Sequence, residues 1–241
     1  MKIHQFVPKG RIQFVVAILF TVLSLPSVAV DFNVRIINLT NGFHNTPFLI
    51  AAHNADTTLF SVGEAASASL QAMAEGGDIS GLVTDLEVAS ATIASNPAGG
   101  LLAPGTSTNV DMNTDGTSNT QLSVVSMLLP TNDAFAGLNA VDIPDVPGTY
   151  VFNIPAYDAG TEANDEIVNG GGAPGVPGIP VDPGGNSGTG GTGAASVDFN
   201  TTVHIHRNNL GDTDLTGGVS DVDSRIHRWL NPVVRVVVTV N

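Results

Sequence analysis

Short strand-like runs, separated by Gly, Pro and Asn turns, recur along almost the whole chain and constrain its fold more than any other feature. Residues 32–36 alternate apolar and polar side chains, residues 121–129 and 149–154 are apolar or alternating, and residues 233–240 are β-branched almost throughout. A period of two is typical of strands. Many short strands joined by frequent turns predict an all-β sandwich, in which the last run is a central strand buried on both faces.

Helical character is expected in one region of the chain. Residues 67–75 are rich in alanine and precede a Gly-Gly pair of the kind that commonly ends a helix. Residues 79–86 are compatible with another turn or two of helix, whereas residues 48–52 and 59–62 are further strand candidates. The pattern therefore predicts a short helical insertion in an otherwise β-rich domain.

One glycine- and proline-rich segment, residues 169–195, breaks the strand pattern. It includes Pro174, Pro177, Pro180 and Pro183. Such a composition cannot bury enough apolar surface to order itself. We interpret the segment as a flexible, mobile surface loop within a single domain, because the strands after it are needed to complete the sheet.

The N-terminus has the pattern of a secretory signal peptide. Lys2, Lys9 and Arg11 precede an apolar run at residues 12–25, and Ser27-Val28-Ala29 is a small-x-small cleavage site. The pattern predicts a signal peptide at residues 1–29 and a secreted domain at residues 30–241, in the periplasm, at the cell surface or in the medium. An N-terminal anchor that is not cleaved is the alternative.

Charge and cysteine content narrow the classes of partner. After residue 30 the chain has 22 acidic and five basic residues, a net charge of −17, and no lysine. Such a field repels nucleic acid and anionic lipid and attracts divalent cations. The chain has no cysteine, so it can form neither disulfides nor a thiolate metal site. Its stability must come from the core and from any bound ions.

Two acidic stretches follow strand-like runs and are candidates for a calcium site. Asp133 follows the run at residues 121–129, and Asp158 and Glu162 follow the run at residues 149–154. Calcium takes six to eight oxygen ligands, commonly from carboxylates and carbonyls on loops. Asx-turns and solvated acidic loops use the same residue types, so this alternative stays open on spacing alone. Further acidic candidates nearby are Asp165 and Glu166.

A third acidic motif resembles half of an EF-hand loop. Asp111-x-Asn113-x-Asp115-Gly116 has the glycine expected at the sixth position. The twelfth position is Leu122, where an EF-hand needs a bidentate Glu. The motif therefore favours a hairpin turn between strands at residues 106–112 and 121–129.

Histidines offer a different kind of metal site. His204 and His206 are two residues apart on a strand candidate, so both imidazoles share one face and could bind zinc or copper. Alternation with Val203 and Ile205 explains the same pattern without a metal. His227 is isolated in the sequence and is expected to pack at the surface. Hydrolase motifs such as Gly-x-Ser-x-Gly and His-Glu-x-x-His do not occur, so we expect a protein that is not an enzyme.

A set of short motifs runs in order over nearly all of the chain after residue 30. They are Phe32-Asn33-Val34-Arg35-Ile36, His53-Asn54, Leu59-Phe60-Ser61-Val62-Gly63-Glu64, Ala74-Glu75-Gly76-Gly77, Leu129-Pro130-Thr131-Asn132-Asp133-Ala134-Phe135, Asp158-Ala159-Gly160-Thr161-Glu162 and Trp229-Leu230-Asn231-Pro232. Together they resemble bacterial spondin-domain proteins, which are related to the N-terminal spondin domain of F-spondin.

The resemblance implies a C2-like antiparallel β-sandwich with a calcium ion (Ca2+) held by loops at one end. Carried across by motif, the ligands are Asp133, Asp158 and Glu162. The last ligand of the family resembles an Asp, whereas this chain has Glu162. Extracellular relatives act in matrix and cell adhesion, which implies an extracellular protein or glycan as the partner.

Two other functions are kept as alternatives. C2-like sandwiches often meet lipid through calcium loops, and Phe135 and Leu138 beyond Asp133 could insert into a membrane. The net charge allows such contact only through calcium. A metal-dependent enzyme that uses His204 and His206 is the weaker alternative.

Overall fold

The computed structural model describes residues 30–185, 187–197 and 201–241. The predicted signal peptide lies outside these residues. Within them, two antiparallel sheets and two short helices make up the regular structure. The prediction of an all-β sandwich with a short helical insertion is confirmed.

The elements follow one another in a simple order. They are β1 (Asp31–Asn38), β2 (His44–Asn45), β3 (Leu49–His53), α1 (Ala68–Gly76), α2 (Ser80–Val88), β4 (Thr92–Ser95), β5 (Ser107–Asn113), β6 (Gln121–Leu129), β7 (Ala134–Asp142), β8 (Gly148–Ile154), β9 (Ala156–Asp158), β10 (His204–Ile205) and β11 (Val234–Val240).

The described strands form one smaller and one larger sheet. The smaller sheet has the order β5-β1-β11-β8, and the larger has the order β10-β9-β7-β6-β3-β4, with β2 paired to β6. Neighbouring strands are antiparallel throughout. The first and last strands, β1 and β11, pair over their whole length, so the sandwich is closed by segments far apart in sequence.

Two apolar clusters lie on the two faces of the larger sheet. The cluster between the sheets includes Val34, Val236 and Val124, whereas Val125 and Met127 of the same strand β6 point into the cluster on the other side. Because successive strand side chains point to opposite faces, β6 is buried on both. The strand predicted to be buried on both faces was β11, and that prediction is wrong in part. β11 is central, but alternate side chains are only half-buried.

The helices cover the second cluster. Ser67 caps α1 by accepting a hydrogen bond from the N–H of Leu70 (3.1 Å). Leu70 and Met73 of α1, with Leu82 and Leu86 of α2, are buried in this cluster. The helical insertion therefore completes the core on the outer face of the larger sheet.

Two local predictions are wrong for identifiable reasons. β5 pairs with β1 and not with β6, so residues 114–120 cross between the sheets and do not form a hairpin. Residues 59–62 are not a strand, because their backbone pairs with a side chain. Asn139 accepts from the N–H of Leu59 (2.9 Å) and donates to the carbonyl of Phe60 (2.7 Å).

The glycine-rich segment is held by carboxylates that lie outside it. Glu75 accepts from the N–H of Gly175 (2.6 Å), and Glu162 accepts from the N–H of Gly178 (3.0 Å). Asp221 accepts from three successive N–H groups, at residues 189–191. Ile179 of the segment is fully buried and packs with Val168 and Val222 in a third, small apolar cluster. The mobility of the segment stays a prediction.

Candidate functional site

The strand register brings two of the predicted acidic residues to one end of the larger sheet. Ala134 of β7 lies opposite Asp158 of β9, and Asp158 lies opposite His204 of β10. Asp133 immediately precedes β7, and its carbonyl accepts a hydrogen bond from the N–H of Ala159 (3.2 Å). The two carboxylates are thus brought together from segments about 25 residues apart by ordinary antiparallel pairing.

The Asp133 carboxylate is fully buried and half satisfied. Its Oδ2 accepts hydrogen bonds from the N–H of Thr161 (2.9 Å), the hydroxyl of Thr161 (3.2 Å) and the N–H of Glu162 (3.1 Å). Its Oδ1 is buried and has no hydrogen-bond partner among the described residues. A buried carboxylate oxygen without a partner is costly, since it has lost water and gained nothing in exchange.

Asp158 is also buried, and the tight turn after it depends on glycine. Its Oδ1 accepts from the N–H of Gly160 (2.8 Å), and its Oδ2 accepts from the side-chain amide of Asn164 (2.8 Å). Gly160 has φ +69°, and a Cβ there would lie 2.6 Å from the backbone N and O of Thr202. The turn therefore excludes larger residues at position 160.

Glu162 contributes its backbone to the cluster and points its side chain away towards the glycine-rich segment. Its Oε2 accepts from the N–H of Gly178 (3.0 Å) and from the side-chain amide of Asn132 (3.3 Å). Its Oε1 is buried without a hydrogen-bond partner among the described residues. The Glu162 carboxylate is not part of the tight group of ligand atoms described next.

His206 joins the two aspartates. Ligand atoms of Asp133, Asp158 and His206 lie within 4.8 Å of one another, and all three residues are buried. The alternation argument placed His206 on one strand face opposite Ile205, but it did not reveal that His206 would lie against Asp158. No local sequence signal does so, because the contact depends on the pairing of β10 with β9.

The hydrogen bonds of His206 define its tautomer. Its Nδ1 accepts from the N–H of Asn208 (2.9 Å), so the ring proton is on Nε2, which donates to Oδ1 of Asn164 (2.8 Å). The distance from Nε2 to Oδ2 of Asp158 is 3.7 Å, too long for a direct hydrogen bond. With both ring nitrogens engaged in this way, the oxygen atoms are better placed than His206 to bind a cation.

Burial and mutual repulsion make ionisation of the carboxyl groups in this region costly. Burial, with the nearby charge of Asp158, raises the pKa of Asp133 to about 7, despite hydrogen bonds from Thr161 and Glu162 that lower it. Burial also raises the pKa of Glu162 to about 7, with smaller contributions from Glu75 and Asp133. A nearby positive ion would relieve both costs, because it favours the ionised form of each carboxyl group.

The other acidic candidates have structural partners. Asp165 accepts hydrogen bonds from the side chain of Asn132 (2.8 Å) and the N–H of Ile167 (3.1 Å). Glu166 accepts from the N–H of Leu210 (2.6 Å). Asp115 lies in an exposed turn after a strand, where its N–H donates to the side chain of Asn113 (2.6 Å). The EF-hand interpretation therefore has no support from the described residues around it.

The position of Phe135 does not support the alternative of a membrane-binding module. Phe135 is fully buried and stacks on Tyr157 at a centroid distance of 5.6 Å, while Leu138 packs partly against the core between the sheets. Phe135 therefore cannot insert into lipid from this conformation. No helix in the described part of the chain is long and apolar enough to cross a membrane.

The donor set fits a hard divalent cation. Two buried carboxylate oxygens without partners, Asp133 Oδ1 and Glu162 Oε1, come from the two loops that the sequence singled out. Calcium binds oxygen ligands of this kind, whereas zinc prefers nitrogen and sulfur. Asp133 and Asp158 have ligand atoms close enough to hold one ion, whereas Glu162 would join them only after a shift of its carboxylate from Gly178.

Comparison with known families agrees with the resemblance of the motifs. The model of the family Spondin_N matches residues 38–167, which is more than half of the chain. The match begins at the end of β1 and includes Asp133, Asp158 and Glu162, but it ends before the glycine-rich segment and before His206. A search of curated proteins finds no match.

Proposed function

Because this chain belongs to the spondin N-terminal domain family, we propose that it is a secreted calcium-binding module for extracellular interaction. The family suggests an extracellular protein-interaction role and is a non-enzymatic domain family. Calcium would bind at the carboxylates of Asp133, Asp158 and Glu162. The partner would be an extracellular protein or glycan, and the net charge of −17 after residue 30 argues against nucleic acid.

The observation that carries this proposal is the pair of buried carboxylate oxygens that have no partner. Asp133 Oδ1 and Glu162 Oε1 are both inaccessible to water and both lack a donor in the described structure. Buried polar atoms in proteins are nearly always paired. A cation at Asp133 would supply the missing interaction there, and Glu162 would reach the same ion by a shift of its carboxylate from Gly178.

A bound ion would link two loops at this end of the sandwich. Asp133 belongs to the connection between β6 and β7, and Glu162 belongs to the turn after β9. Glu162 also holds Gly178 through its Oε2, so the same side chain links the site to the glycine-rich segment. Calcium bound there would order this end of the sandwich and present it as a surface for a partner.

We expect calcium to stabilise the protein more strongly as the pH rises from 5 to 8. The pKa values of Asp133 and Glu162 are raised to about 7. In the calcium-free protein, ionisation of these buried groups therefore lowers the free energy of unfolding as the pH rises from about 4 to 7. Calcium binds the ionised forms, so its Kd should increase about tenfold per pH unit below pH 7 for each proton released.

Isothermal titration calorimetry at pH 5, 6, 7 and 8 measures this dependence. Buffers of different ionisation enthalpy give the number of protons released in the same experiment. Magnesium is the matched control, because it accepts an irregular set of protein oxygens less readily than calcium. Absence of any calcium heat at pH 8, with superimposed thermal melts in calcium and in chelator, would contradict the proposed function.

We expect Glu162→Gln to weaken calcium binding about tenfold, since lower ligand charge reduces affinity. The Gln carbonyl can still accept from the N–H of Gly178, so the fold should persist. Glu64→Gln removes the same charge at an exposed position and is the matched control. Equal calcium affinity in Glu162→Gln and the wild type would remove Glu162 from the ligand set and leave the two aspartates.

A further inference from the structure

A second cluster of metal-binding side chains lines a separate cavity of about 310 Å3. Its walls include His44, Asp182, Asp223 and His227. They come from β2, from the glycine-rich segment and from the loop before β11. None of these residues belongs to the Asp133 group, so the cavity needs its own explanation.

Two buried polar atoms at this cavity have no hydrogen-bond partner among the described residues, Nδ1 of His44 and Oδ1 of Asp182. On His227 the nitrogen that faces Asp182 is Nε2, and the backbone of Gly42 interacts with the ring. The side chain of His227 is 5% exposed and that of Asp182 is 8% exposed. Histidine and aspartate rarely stay unpaired at such burial, because they lose hydration without compensation.

His227 and Asp182 face each other at a distance typical of two ligands on one metal ion. The Nε2 of His227 lies 3.7 Å from Oδ1 of Asp182. This is longer than a hydrogen bond. It is close to the ~3.4 Å edge of a tetrahedron whose metal–ligand bonds are about 2.0–2.1 Å. The distance between these two atoms is therefore too long for a direct hydrogen bond but suits two ligands of one metal ion.

The surrounding structure holds the His227 ring in place. Phe43 contacts it edge to face at a centroid distance of 5.4 Å and contacts Trp229 at 4.9 Å. The backbone at Gly42 lies against the ring as well, and a Cβ there would be 2.9 Å from Cδ2 of His227. A ring fixed in this way is preorganised, so little conformational entropy is lost on binding.

Burial makes the charged forms of these side chains costly. It lowers the pKa of both His44 and His227. Burial and the charge of Asp223 raise the pKa of Asp182 to about 6. Asp223 itself is engaged by Arg225 through the guanidinium group (2.6 Å).

We propose that His227, Asp182 and His44 form a site for a divalent transition-metal ion such as Zn2+. His227 and Asp182 are already adjacent, whereas no ligand atom of His44 lies within 4.8 Å of both of them. His44 lines the same cavity and would join them on metal binding by rotating its side chain. Two imidazoles and one carboxylate match the ligand preference of zinc and not that of calcium. The ion would fasten β2, the glycine-rich segment and the C-terminal loop together in a chain that has no disulfides.

The test is zinc binding to the purified full-length protein in saturating calcium, measured by calorimetry and thermal melting. Co2+ replaces zinc in a parallel titration, because its visible spectrum reports tetrahedral nitrogen and oxygen ligation. We expect one zinc ion per chain. A hundredfold excess of zinc over its Kd should raise Tm by about 5–10 °C.

Variants distinguish this site from the histidines near Asp158. We expect His227→Gln and His44→Gln each to weaken zinc binding at least tenfold and to lose the Co2+ spectrum. His204→Gln, at a half-buried position beside Asp158, is the matched control and should bind zinc like the wild type. If His227→Gln does not fold, Asp182→Asn with His44→Gln gives the same test.

Two results would overturn the inference. One is the absence of zinc binding, or zinc binding that is unchanged in both His44→Gln and Asp182→Asn. The other is zinc binding that is lost in His204→Gln, which would assign the ion to the Asp158 group. Neither result bears on calcium binding at Asp133, which is measured separately without zinc.

Discussion

Asp133→Asn should abolish the calcium-induced rise in Tm and leave the calcium-free protein at least as stable as the wild type. In the wild type, calcium at a hundredfold excess over its Kd should contribute about 2.7 kcal/mol, or about 5–10 °C in Tm. The Asn oxygen can still accept the hydrogen bonds that Thr161 and Glu162 donate. The substitution removes the charge that burial and Asp158 make costly at neutral pH.

Asp133→Asn is expected to remove the calcium-induced rise in Tm without lowering the Tm in chelator, and this combination separates loss of a ligand from loss of structure. Loss of structure would lower Tm in chelator, whereas loss of a ligand leaves Tm in chelator unchanged or higher. Asp115→Asn is the matched control, since it is the same substitution in an exposed turn and should keep the full calcium response. A normal calcium response in Asp133→Asn would show that Asp133 is not a ligand.

Asp221→Ala should destabilise the glycine-rich segment and lower the free energy of unfolding by about 3 kcal/mol or more. Its Oδ1 accepts from the N–H groups of Thr189, Gly190 and Gly191, at 2.8, 3.0 and 2.8 Å, and its Oδ2 accepts from the N–H of Val168 (2.8 Å). The truncation would leave these donors without an acceptor. Hydrogen bonds to a charged acceptor are among the stronger ones in proteins.

Urea unfolding and limited proteolysis with subtilisin measure the two consequences. We expect a lower unfolding midpoint and new cleavage sites within residues 169–195, identified by mass spectrometry. Asp214→Ala is the matched control, because Asp214 lies in the same C-terminal region but is exposed and, among the residues that the structure describes, accepts only from Thr216. Rapid cleavage of the wild type at the same sites would show that Asp221 does not order the segment.

The sequence predicts the strands best where the pattern is local. Alternation at residues 32–36 and the β-branched run near the C-terminus both correspond to strands, and the helix at 67–75 appears as α1 with Ser67 as its cap. The predicted strand at 59–62 failed because Asn139, about 80 residues away, satisfies its backbone. The hairpin failed because β5 has its partner in β1 and not in its sequence neighbour.

The candidate site also contains residues that the sequence motifs identify and residues that only the tertiary structure brings there. Asp133, Asp158 and Glu162 are recognisable from motifs, because each follows a strand in a short acidic loop. His206 was not assigned to this group, since its position beside Asp158 depends on the pairing of β10 with β9. His227 was expected at the surface but is 4% exposed, because Phe43 and the backbone at Gly42 pack against it.

By itself, the sequence determined the fold class, the acidic charge, the absence of disulfides and the family resemblance. These properties follow from composition, from period-two alternation and from short motifs, and none of these depends on contacts between distant parts of the chain. Only the tertiary structure decided which residues meet, namely His206 with the two aspartates, and His227 with Asp182. Such contacts arise from strand pairing and packing between segments far apart in the chain, where no local pattern constrains the distance between two side chains.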